Sequence, residues 1–376
     1  MRVAVGVSGG VDSAVAAHLL KEKGYEVFGV TMKIWRGTPF PAAMKDACYG
    51  PHEIHDIESA RRICAHLGIG FHILDCSESY EKAVLQDFSR EYLCGRTPNP
   101  CVRCNQLIKF GKLPMLLRES GLQFDCFATG HYARVTLNEE RKRFLLKKGV
   151  DPRKDQSYFL YRLSQMQLSQ ALFPLGELVK GRVREIARTA GLPVHDKKES
   201  QDFYPGDPGD IIGRETGQGE IVNKQGEVLG RHRGIWNYTI GQRKGLGISH
   251  TEPLYVIAID PDKNRIIVGT EGDTYRGSCV TRDLNWIAID GISSPLRVEA
   301  KIRSTAKPAW ATLVPLDPER VHVAFDEPIS AVTPGQSTVF YQADDVVGGG
   351  IIEPFDRDAA FSPCAGHGDV LSPVRA

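Results

Sequence analysis

The stretch Val3-Ala4-Val5-Gly6-Val7-Ser8-Gly9-Gly10-Val11-Asp12-Ser13 decides the fold of this chain. Its apolar beginning predicts a buried strand, and Val15, Ala16, Leu19 and Leu20 then recur with the spacing of a helix. The adjacent glycines between these elements allow a tight turn in which successive backbone N–H groups face one point, towards which the helix directs its positive end. We therefore predict that this turn binds phosphate; an ordinary glycine-rich turn is the alternative.

The predicted phosphate loop differs from a Walker A loop. Walker A loops carry Gly-Lys-Ser or Gly-Lys-Thr, whereas the first lysine of this chain is Lys21. Transfer of the γ-phosphoryl group is therefore not the favoured chemistry. The segment Ser8-Gly9-Gly10-Val11-Asp12-Ser13 instead resembles the PP-loop of the ATP pyrophosphatases. That resemblance implies that ATP is cut between its α and β phosphates and that AMP is left on an oxygen of the substrate, which makes this oxygen a good leaving group.

The composition is that of an ordinary globular protein of 376 residues, with 41% hydrophobic and 25% charged residues. This length predicts two or three domains. We expect a cytoplasmic protein without a membrane partner, because residues 1–7 are too short for a signal-peptide core and no apolar run approaches the roughly 20 residues of a membrane span. The nine scattered cysteines favour reduced thiols over a disulfide framework.

Charge is unevenly distributed, although the formal net charge is only +1. Residues 139–199 hold fourteen Lys or Arg and eight Asp or Glu. This excess suits nucleic-acid phosphates, and a solvated basic face is the alternative. Between Tyr238 and Gly247, Arg243 and Lys244 stand among glycines, a composition that suits either a grip on phosphates or a tight hairpin.

Strand and helix patterns alternate over residues 1–208, which predicts an α/β fold, Rossmann-like, with a parallel sheet covered on both faces. Ligands of such sheets bind at the carboxyl ends of the strands. The phosphate loop, Met32 and Gly130 lie at three such ends, so we expect them to line one nucleotide site. Afterwards short strand patterns dominate, which predicts a small β-rich domain at 209–279, a C-terminal β-barrel or sandwich at 280–355 and a flexible tail at 356–376.

A second informative stretch is Gly95-Arg96-Thr97-Pro98-Asn99-Pro100-Cys101-Val102-Arg103-Cys104-Asn105. Its prolines predict a rigid entry into a helix, with the cysteine pair at the beginning of that helix. A thiol at a helix N-terminus near Arg103 is expected to shift towards the nucleophilic thiolate. Sulfur or redox chemistry at Cys101 and Cys104 competes with an iron–sulfur cluster, plain buried thiols and a structural zinc site. Zinc is disfavoured because the sequence has no second Cys-x-x-Cys pair.

Several specific motifs follow one another along residues 1–354. They are the phosphate loop, Gly-Arg-Thr-Pro-Asn-Pro-Cys-x-x-Cys-Asn with Ile108-Lys109-Phe110, Ala128-Thr129-Gly130-His131-Tyr132-Ala133, Lys154-Asp155-Gln156-Ser157-Tyr158-Phe159-Leu160, Tyr238-Thr239-Ile240-Gly241-Gln242-Arg243-Lys244-Gly245-Leu246-Gly247 and Thr333-Pro334-Gly335-Gln336. With these motifs the chain resembles the bacterial and organellar tRNA-specific 2-thiouridylases. The resemblance implies an ATP- and magnesium-dependent enzyme that replaces the C2 oxygen of the wobble uridine in certain tRNAs by sulfur.

The resemblance further implies a chemistry and a set of partners. The C2 oxygen of a flipped uridine is adenylated, and a sulfur nucleophile then attacks C2. The implied partners are tRNA, gripped in part by the central β-rich domain, and a sulfur donor protein or sulfide.

Site residues are implied position by position. ATP binding is implied for Gly6, Val7, Ser8, Gly9, Gly10, Val11, Asp12, Ser13, Ala14, Met32 and Gly130. Cys104 matches the family's nucleophile, and the target-base loop supplies Asn99, Pro100 and a second catalytic thiol, Cys101. Contacts with tRNA are implied for His131, Lys154, Asp155, Gln156 and Gln336. Asp12 is a candidate magnesium ligand with helix capping as its alternative, and each polar tRNA-contacting residue could instead satisfy a turn.

The chain departs from the family at one position of the sulfur chemistry. A third family cysteine, which receives sulfur as a persulfide, is expected in the run Ser200-Gln201-Asp202-Phe203-Tyr204-Pro205, where Tyr204 stands instead. Cys101 and Cys104 could then form a self-contained pair, in which one thiol carries sulfur and the other resolves it as a disulfide. Alternatively they ligate a [4Fe-4S] cluster whose third ligand is Cys94, Cys48 or Cys126.

Other interpretations make different predictions. The spacing of Cys48, His52 and His55 resembles that of a metal site, but a polar loop without metal is the favoured interpretation. Other AMP-forming PP-loop enzymes, such as amidotransferase-type synthetases and argininosuccinate synthase, share only the first motif. A non-catalytic tRNA-binding or sulfur-carrier relative is the remaining alternative, which the missing cysteine keeps open.

Overall fold

The computed structural model describes residues 1–37, 47–197, 203–204, 206–213 and 217–355. Its strands are β1 Arg2–Gly6, β2 Glu26–Lys33, β3 Gly70–Asp75, β4 Cys126–Ala128, β5 Ala133–Asn138, β6 Arg143–Lys148, β7 Ala171–Leu172, β8 Gly219–Val222, β9 Val228–His232, β10 Tyr255–Asp260, β11 Arg265–Gly269, β12 Tyr275–Trp286, β13 Leu296–Lys301, β14 Ala309–Asp317, β15 Arg320–Ser330, β16 Ser337–Gln342 and β17 Asp345–Ile352.

The α-helices are α1 Val11–Glu22, α2 Glu53–Leu67, α3 Ser77–Tyr80, α4 Gln86–Leu93, α5 Pro100–Arg103, α6 Leu113–Glu119, α7 Gln165–Ser169, α8 Lys180–Thr189 and α9 Pro208–Ile212. Two π-helical segments, Glu81–Leu85 and Cys104–Lys112, join α3 to α4 and α5 to α6. Short 3-10 turns lie at Ser157–Phe159, Ile235–Asn237 and Glu271–Thr274.

The amino-terminal unit is a parallel sheet with strand order β3-β2-β1-β4-β7, which confirms the predicted Rossmann-like fold. Val3, Ala4 and Val5 of β1 are completely buried, because helices cover both faces of a parallel sheet. The chain runs outward from β1 to β3 and then adds β4 on the opposite side of β1. The loops after β1 and β4 therefore meet at a topological switch point, where such sheets bind their ligands.

The central unit is a four-stranded sheet in the order β10-β11-β8-β9. Its core is formed by side chains such as Trp236, Tyr238 and Ile266, all of which are buried. The segment between Tyr238 and Gly247 thus begins inside this core, while Arg243 and Lys244 are exposed.

The carboxy-terminal unit is a closed antiparallel barrel, which decides between the predicted barrel and the sandwich. Its ring runs β12-β15-β14-β13-β16-β17, and β12 also pairs with β17. The run Gly348-Gly349-Gly350 in β17 leaves room for neighbouring rings: a Cβ atom on Gly349 would lie 2.7 Å from the ring of Tyr161.

The sheet of the barrel also crosses the boundaries expected from the sequence. The hairpin β5–β6, which belongs to the amino-terminal range, pairs with β17 through Lys147 and Asp345. β12 begins at Tyr275, inside the range expected for the central domain. The division at 208, 279 and 355 stays a prediction, and the expected tail at 356–376 lies outside the described residues. Within the described ranges, none of the helices has the length and apolar character that crossing a membrane requires.

Candidate active site

The loop after β1 is a preorganised turn at the N-terminus of α1. Gly9 has φ of +74°, and a Cβ atom there would lie 2.4 Å from the carbonyl oxygen of Asp56, so only glycine fits. The Ser13 hydroxyl donates to the Gly10 carbonyl over 3.0 Å and accepts from the Ser8 amide over 3.2 Å. Ser8 is exposed and Ser13 is buried. The loop is thus braced from within, and its outer rim faces solvent at the switch point.

The loop after β4 lies directly against the phosphate loop. A Cβ atom on Gly130 would lie 2.7 Å from the carbonyl carbon of Asp12 and 2.8 Å from the amide nitrogen of Ser13. The structure therefore places Gly130 against the phosphate loop at Asp12 and Ser13, while nucleotide binding by these residues stays a prediction. Met32 lies near the end of the neighbouring strand β2 and is half-buried.

Asp12 does not cap α1, because Gly10 occupies the N-cap position. Its carboxylate oxygens accept from the Lys180 ammonium at 2.7 and 2.8 Å, and one of them also accepts from the Tyr132 hydroxyl at 2.8 Å. Lys180 begins α8 and its side chain is only 10% exposed. Asp12 thus connects the phosphate loop to α8. This ion pair competes with the role of magnesium ligand that the sequence predicts for Asp12.

A second lysine, Lys197, also contacts the phosphate loop. The Lys197 ammonium donates to the Gly9 carbonyl at 3.2 Å and to the Asp56 carboxylate at 2.6 Å. The two lysines place positive charge beside a loop that has no lysine of its own, a combination suited to a polyphosphate. Sequence reasoning missed both lysines, since they stand in no recognisable motif and reach the loop only through tertiary contacts.

The segment of residues 95–101, in which the resemblance places the target-base loop, lies where all three units meet. On the central unit, Gly95 packs against Ile259. A Cβ atom built on Gly95 would lie 3.2 Å from the side chain of Ile259. On the barrel, the Thr97 amide donates to the Pro334 carbonyl over 2.9 Å. Within the amino-terminal unit, Arg96 forms a bidentate ion pair with Glu91, and both donor–acceptor distances are 2.7 Å. The loop is therefore fixed by packing rather than left as a flexible lid.

Gln336 of the barrel braces this loop. Its side-chain amide donates to the carbonyls of Thr97 at 3.1 Å and Pro98 at 3.0 Å. Contact with tRNA, which the resemblance implies for Gln336, stays a prediction, but the NH2 group of the side chain already holds the loop that carries Cys101.

The cysteine pair begins a continuous helical run from Pro100 to Glu119. The Asn99 side chain caps this run by accepting from the Val102 amide over 3.3 Å, and Pro100 occupies the first turn. Cys101 is half-buried and Cys104 is buried. Asn99 and Pro100 therefore determine where Cys101 lies, whichever contacts they make with tRNA.

The expected shift of these thiols towards thiolate is wrong for this structure. Burial raises the pKa of Cys101 to about 12 and that of Cys104 to about 11, because a thiolate loses its hydration there. Arg103 does not offset this effect, since its guanidinium is paired with Asp87 at 3.2 Å. The cation that favours both thiolates is Lys109, one turn further along the helical run.

Lys109 and His131 link the phosphate loop to the thiols. Burial acts to lower the pKa of Lys109, but the thiols of Cys104, Cys48 and Cys101 raise it above its ordinary value. Burial, and then the charge of Lys109, lower the pKa of His131 to about 3, so its imidazole is neutral. Gly130 touches the phosphate loop, and the ring of the next residue, His131, lies 6.1 Å from that of Phe110, the neighbour of Lys109.

The predicted tRNA-contacting motif at residues 154–156 forms a turn. The Asp155 carboxylate accepts from the amides of Gly149 and Ser157 at 3.0 and 3.1 Å. The Gln156 side chain accepts from the Tyr132 amide over 2.9 Å. Lys154 is half-buried in the same turn. Tyr158 and Tyr161 beyond this turn are completely buried against the barrel, so the motif joins two units in addition to any contact with RNA.

A cavity beside the target-base loop is rich in arginine. It is lined by Asn99 together with Arg90, Arg103, Arg162 and Arg282. Asp87, Glu91 and Asp283 also line it and balance part of this charge. The cavity lies between the amino-terminal unit and the barrel, next to the loop on which the resemblance places the target base.

The segment expected to carry the third cysteine is described only in part. Residues 200–202 and 205 lie outside the described residues. The Tyr204 hydroxyl donates to Asp210 over 2.6 Å, and burial together with this carboxylate raises its pKa. The neighbouring Phe203 carbonyl accepts from the Tyr49 amide over 3.1 Å. Cys48 therefore lies beside this segment, which the spacing of Cys48, His52 and His55 did not predict.

Metal binding requires several donor atoms that converge on one point. Among the residues that the structure describes, no three His, Cys, Asp or Glu side chains converge as a metal site requires. Cys126 lies on β4, with its sulfur 3.9 Å from that of Met1, and is half-buried. The described residues do not fit an iron–sulfur cluster with three protein ligands, and we derive no step through one.

Comparison with known proteins agrees with this architecture. Residues 1–204 match the family model described as tRNA methyl transferase HUP domain, residues 209–270 the PRC-barrel domain of the same name, and residues 276–352 the aminomethyltransferase beta-barrel domain. The tRNA-specific 2-thiouridylase MnmA of Endomicrobium trichonymphae is 49% identical over 94% of this chain and 99% of its own length.

Two further relatives carry the same name. MnmA of Clostridium botulinum strain Alaska E43 is 46% identical over 94% of this chain and 98% of its own length. MnmA 1 of Caldanaerobacter subterraneus is 48% identical, with the same two coverages. Identity at this level over nearly the whole length confirms the resemblance inferred from the motifs. The chain belongs to the family of the tRNA-specific 2-thiouridylases.

Proposed function

We propose that this protein is a tRNA uridine 2-sulfurtransferase that converts the wobble uridine to 2-thiouridine, with ATP as activator. The observation that carries the proposal is the position of the loop after β4 between the phosphate loop and the helical run of the cysteine pair. Gly130 touches the phosphate loop at Asp12 and Ser13, while the His131 ring lies 6.1 Å from that of Phe110, the neighbour of Lys109, whose charge interacts with Cys104. A uridine base held between these residues can meet an α-phosphate on one side and a thiol on the other.

The first half of the reaction is adenylation. The C2 oxygen of uridine attacks the α-phosphorus of ATP, pyrophosphate leaves, and C2 then carries AMP as a good leaving group. Backbone amides of residues 8–13 and the positive end of α1 hold the phosphates, with Lys180 and Lys197 close by. Magnesium accompanies the phosphates of ATP; Asp12 is engaged by Lys180, so we route no step through a protein-bound ion.

The second half is sulfur transfer. The outer sulfur of a persulfide on Cys104 attacks C2, and AMP leaves. The thiolate of Cys101 then attacks the Cys104 sulfur, which forms the Cys101–Cys104 disulfide and leaves the transferred sulfur on C2. An external dithiol reduces the disulfide before the next turnover. Lys109 favours the thiolate of either cysteine, and we expect the neutral His131 to orient the base rather than to carry a charge.

The tRNA is proposed to lie across the junction of the three units. The arginine-rich cavity beside Asn99, the exposed Arg243 and Lys244, and the basic range 139–199 supply cations for its phosphates. We propose that the reaction takes place in the cytoplasm, where reduced thiols persist and tRNA is found.

The test is an anaerobic reaction with purified chain, undermodified tRNA, ATP and either a persulfide donor, which loads Cys104, or free sulfide, which attacks the adenylated C2 directly with loss of AMP. AMP release that depends on tRNA, together with 2-thiouridine in digested tRNA, is the expected result. With a persulfide donor, Cys104→Ser should lose thiolation while it keeps adenylation, and Cys279→Ser, which removes a buried barrel thiol, should behave like wild type. AMP release without 2-thiouridine from any donor would instead favour another AMP-forming enzyme, and the absence of both products would favour a non-catalytic tRNA-binding or sulfur-carrier relative.

A further inference from the structure

Cys104 is poorly placed to receive sulfur directly from another protein. It is 8% exposed and belongs to the largest apolar cluster, in which Tyr49, Tyr80 and Val102 are also buried. A persulfide on a donor protein has to come within bonding distance of the thiol that accepts it. An outer thiol that receives the sulfur first would solve this problem.

Cys48 is an exposed thiol held beside this cluster. Its neighbour Tyr49 is 6% exposed and stacks on Tyr80, with ring centroids 5.6 Å apart and an angle of 11° between the planes. Tyr49 also stacks on Phe203 at 6.2 Å and donates its amide to the Phe203 carbonyl. The position of Cys48 is therefore set by ordered packing on both sides of Tyr49.

Cys48 is close enough to the inner thiols for their charges to interact. Burial chiefly raises the pKa of Cys104 and Cys101, and a charge on Cys48 raises each of them further. Lys109 interacts with all three thiols. Exposure falls from Cys48, which is exposed, through Cys101 to the buried Cys104. The three thiols thus share Lys109 as an electrostatic partner and are ordered from solvent inwards, an order that suits a sulfur relay.

We propose that Cys48 is the thiol that receives sulfur from a protein-bound persulfide and passes it to Cys104. This inference rests on the proposed function. It also explains how the chain works with Tyr204 at the position of the third family cysteine: the thiol stands on the neighbouring segment instead, next to the residue that pairs with Phe203.

The relay balances without an added oxidant or reductant. The Cys48 thiolate attacks the outer sulfur of the donor persulfide R–S–SH, whose S–S bond breaks, so that the donor leaves as R–S⁻ and Cys48 becomes Cys48–S–SH. The Cys104 thiolate then attacks the outer sulfur of Cys48–S–SH. Cys48 leaves as its thiolate, and Cys104 carries the persulfide that the reaction at C2 consumes.

The experiment compares two sulfur sources in the full-length chain. The first is a purified cysteine desulfurase charged with ³⁵S-cysteine, which presents the label as a protein-bound persulfide. The second is free sulfide, which diffuses into the site, attacks the adenylated C2 directly with loss of AMP, and so needs no persulfide on Cys48 or Cys104. Cys48→Ser should lower thiolation from the protein donor at least tenfold and leave thiolation from free sulfide within twofold of wild type. In Cys104→Ser, label should collect on the peptide that contains Cys48. The matched control is Cys126→Ser, a half-buried thiol on β4, which should change neither rate.

The relay is overturned if Cys48→Ser thiolates tRNA from the protein donor at the wild-type rate, or if Cys104→Ser carries no label on the Cys48 peptide. It is also overturned if wild type uses free sulfide but not the protein persulfide. Failure of the proposed function has a different signature, since wild type would then form no 2-thiouridine from either source. AMP release that depends on tRNA, measured for Cys48→Ser, checks that this variant is folded.

Discussion

The Lys180 ammonium lies 2.7 and 2.8 Å from the two carboxylate oxygens of Asp12. The pair joins the first turn of α8 to the first turn of α1, across 168 positions of the chain. It places a lysine beside the phosphate loop from outside, whereas a Walker A loop carries its lysine within the motif. Both the stability of the amino-terminal unit and the shape of the loop therefore depend on this contact.

Lys180→Met should destabilise the protein by about 3 kcal/mol, because removing one partner leaves the other charge poorly solvated. The Asp12 side chain is 29% exposed, which sets the effect at the lower end of the range for buried pairs. Urea unfolding followed by circular dichroism measures the change. Lys82→Met, which breaks the exposed pair with Glu78, is the control and should shift stability by no more than about 0.5 kcal/mol. Equal unfolding midpoints for the two variants would contradict the prediction.

Gly130→Ala should weaken ATP binding about tenfold, which corresponds to about 1.4 kcal/mol. The added methyl group would lie 2.7 Å from the backbone of Asp12, so the phosphate loop has to move. Titration calorimetry with a non-hydrolysable ATP analogue measures the affinity. Gly181→Ala in α8 is the matched control, since no atom lies within 4 Å of its Cβ position. Unchanged affinity in Gly130→Ala would show that the loop after β4 does not shape the nucleotide site.

Gln336→Leu should lower kcat for thiolation about tenfold and leave ATP binding unchanged. The substitution removes two hydrogen bonds to the target-base loop, each worth about 1 kcal/mol, and the loop carries Cys101. Steady-state kinetics with varied tRNA separates this role from RNA contact alone, which would raise KM for tRNA at constant kcat. Gln342→Leu is the control, because Gln342 donates to the Arg297 carbonyl on the exposed side of the barrel.

Alkylation of Cys104 by iodoacetamide should accelerate about tenfold for each pH unit from 7 to 10. The thiolate is the reactive form, and a pKa of about 11 keeps its fraction rising throughout this range. Mass spectrometry of the peptide in the free enzyme follows the modification. Lys109→Met should slow alkylation at every pH, since the ammonium favours the thiolate. A plateau near neutral pH would instead mean that the helix N-terminus lowers this pKa, as the sequence alone suggested.

The motifs of the sequence were sufficient for the family and for the α/β fold, because they depend on local physics. A strand, two glycines and a helix form a phosphate loop wherever they stand in that order, and alternating strands and helices pair into a parallel sheet. The closed barrel was harder to predict from the sequence. β17 contains Gly348-Gly349-Gly350, a composition that does not predict a strand. These glycines belong to a strand because the rings of Tyr161 and Trp286 occupy the space that Cβ atoms would otherwise take.

Only the tertiary structure decided how the site is held and charged. Lys180 and Lys197 reach the phosphate loop from distant segments, and Gln336 holds the target-base loop from the barrel. Burial reversed the pKa shift expected for Cys101, since desolvation of a thiolate outweighs the helix terminus beside it. The sequence by itself determined which chemical groups are present and that they include a phosphate loop and a thiol pair. Their partners, charge states and order from solvent inwards depend on packing between residues far apart in the chain, which no local pattern encodes.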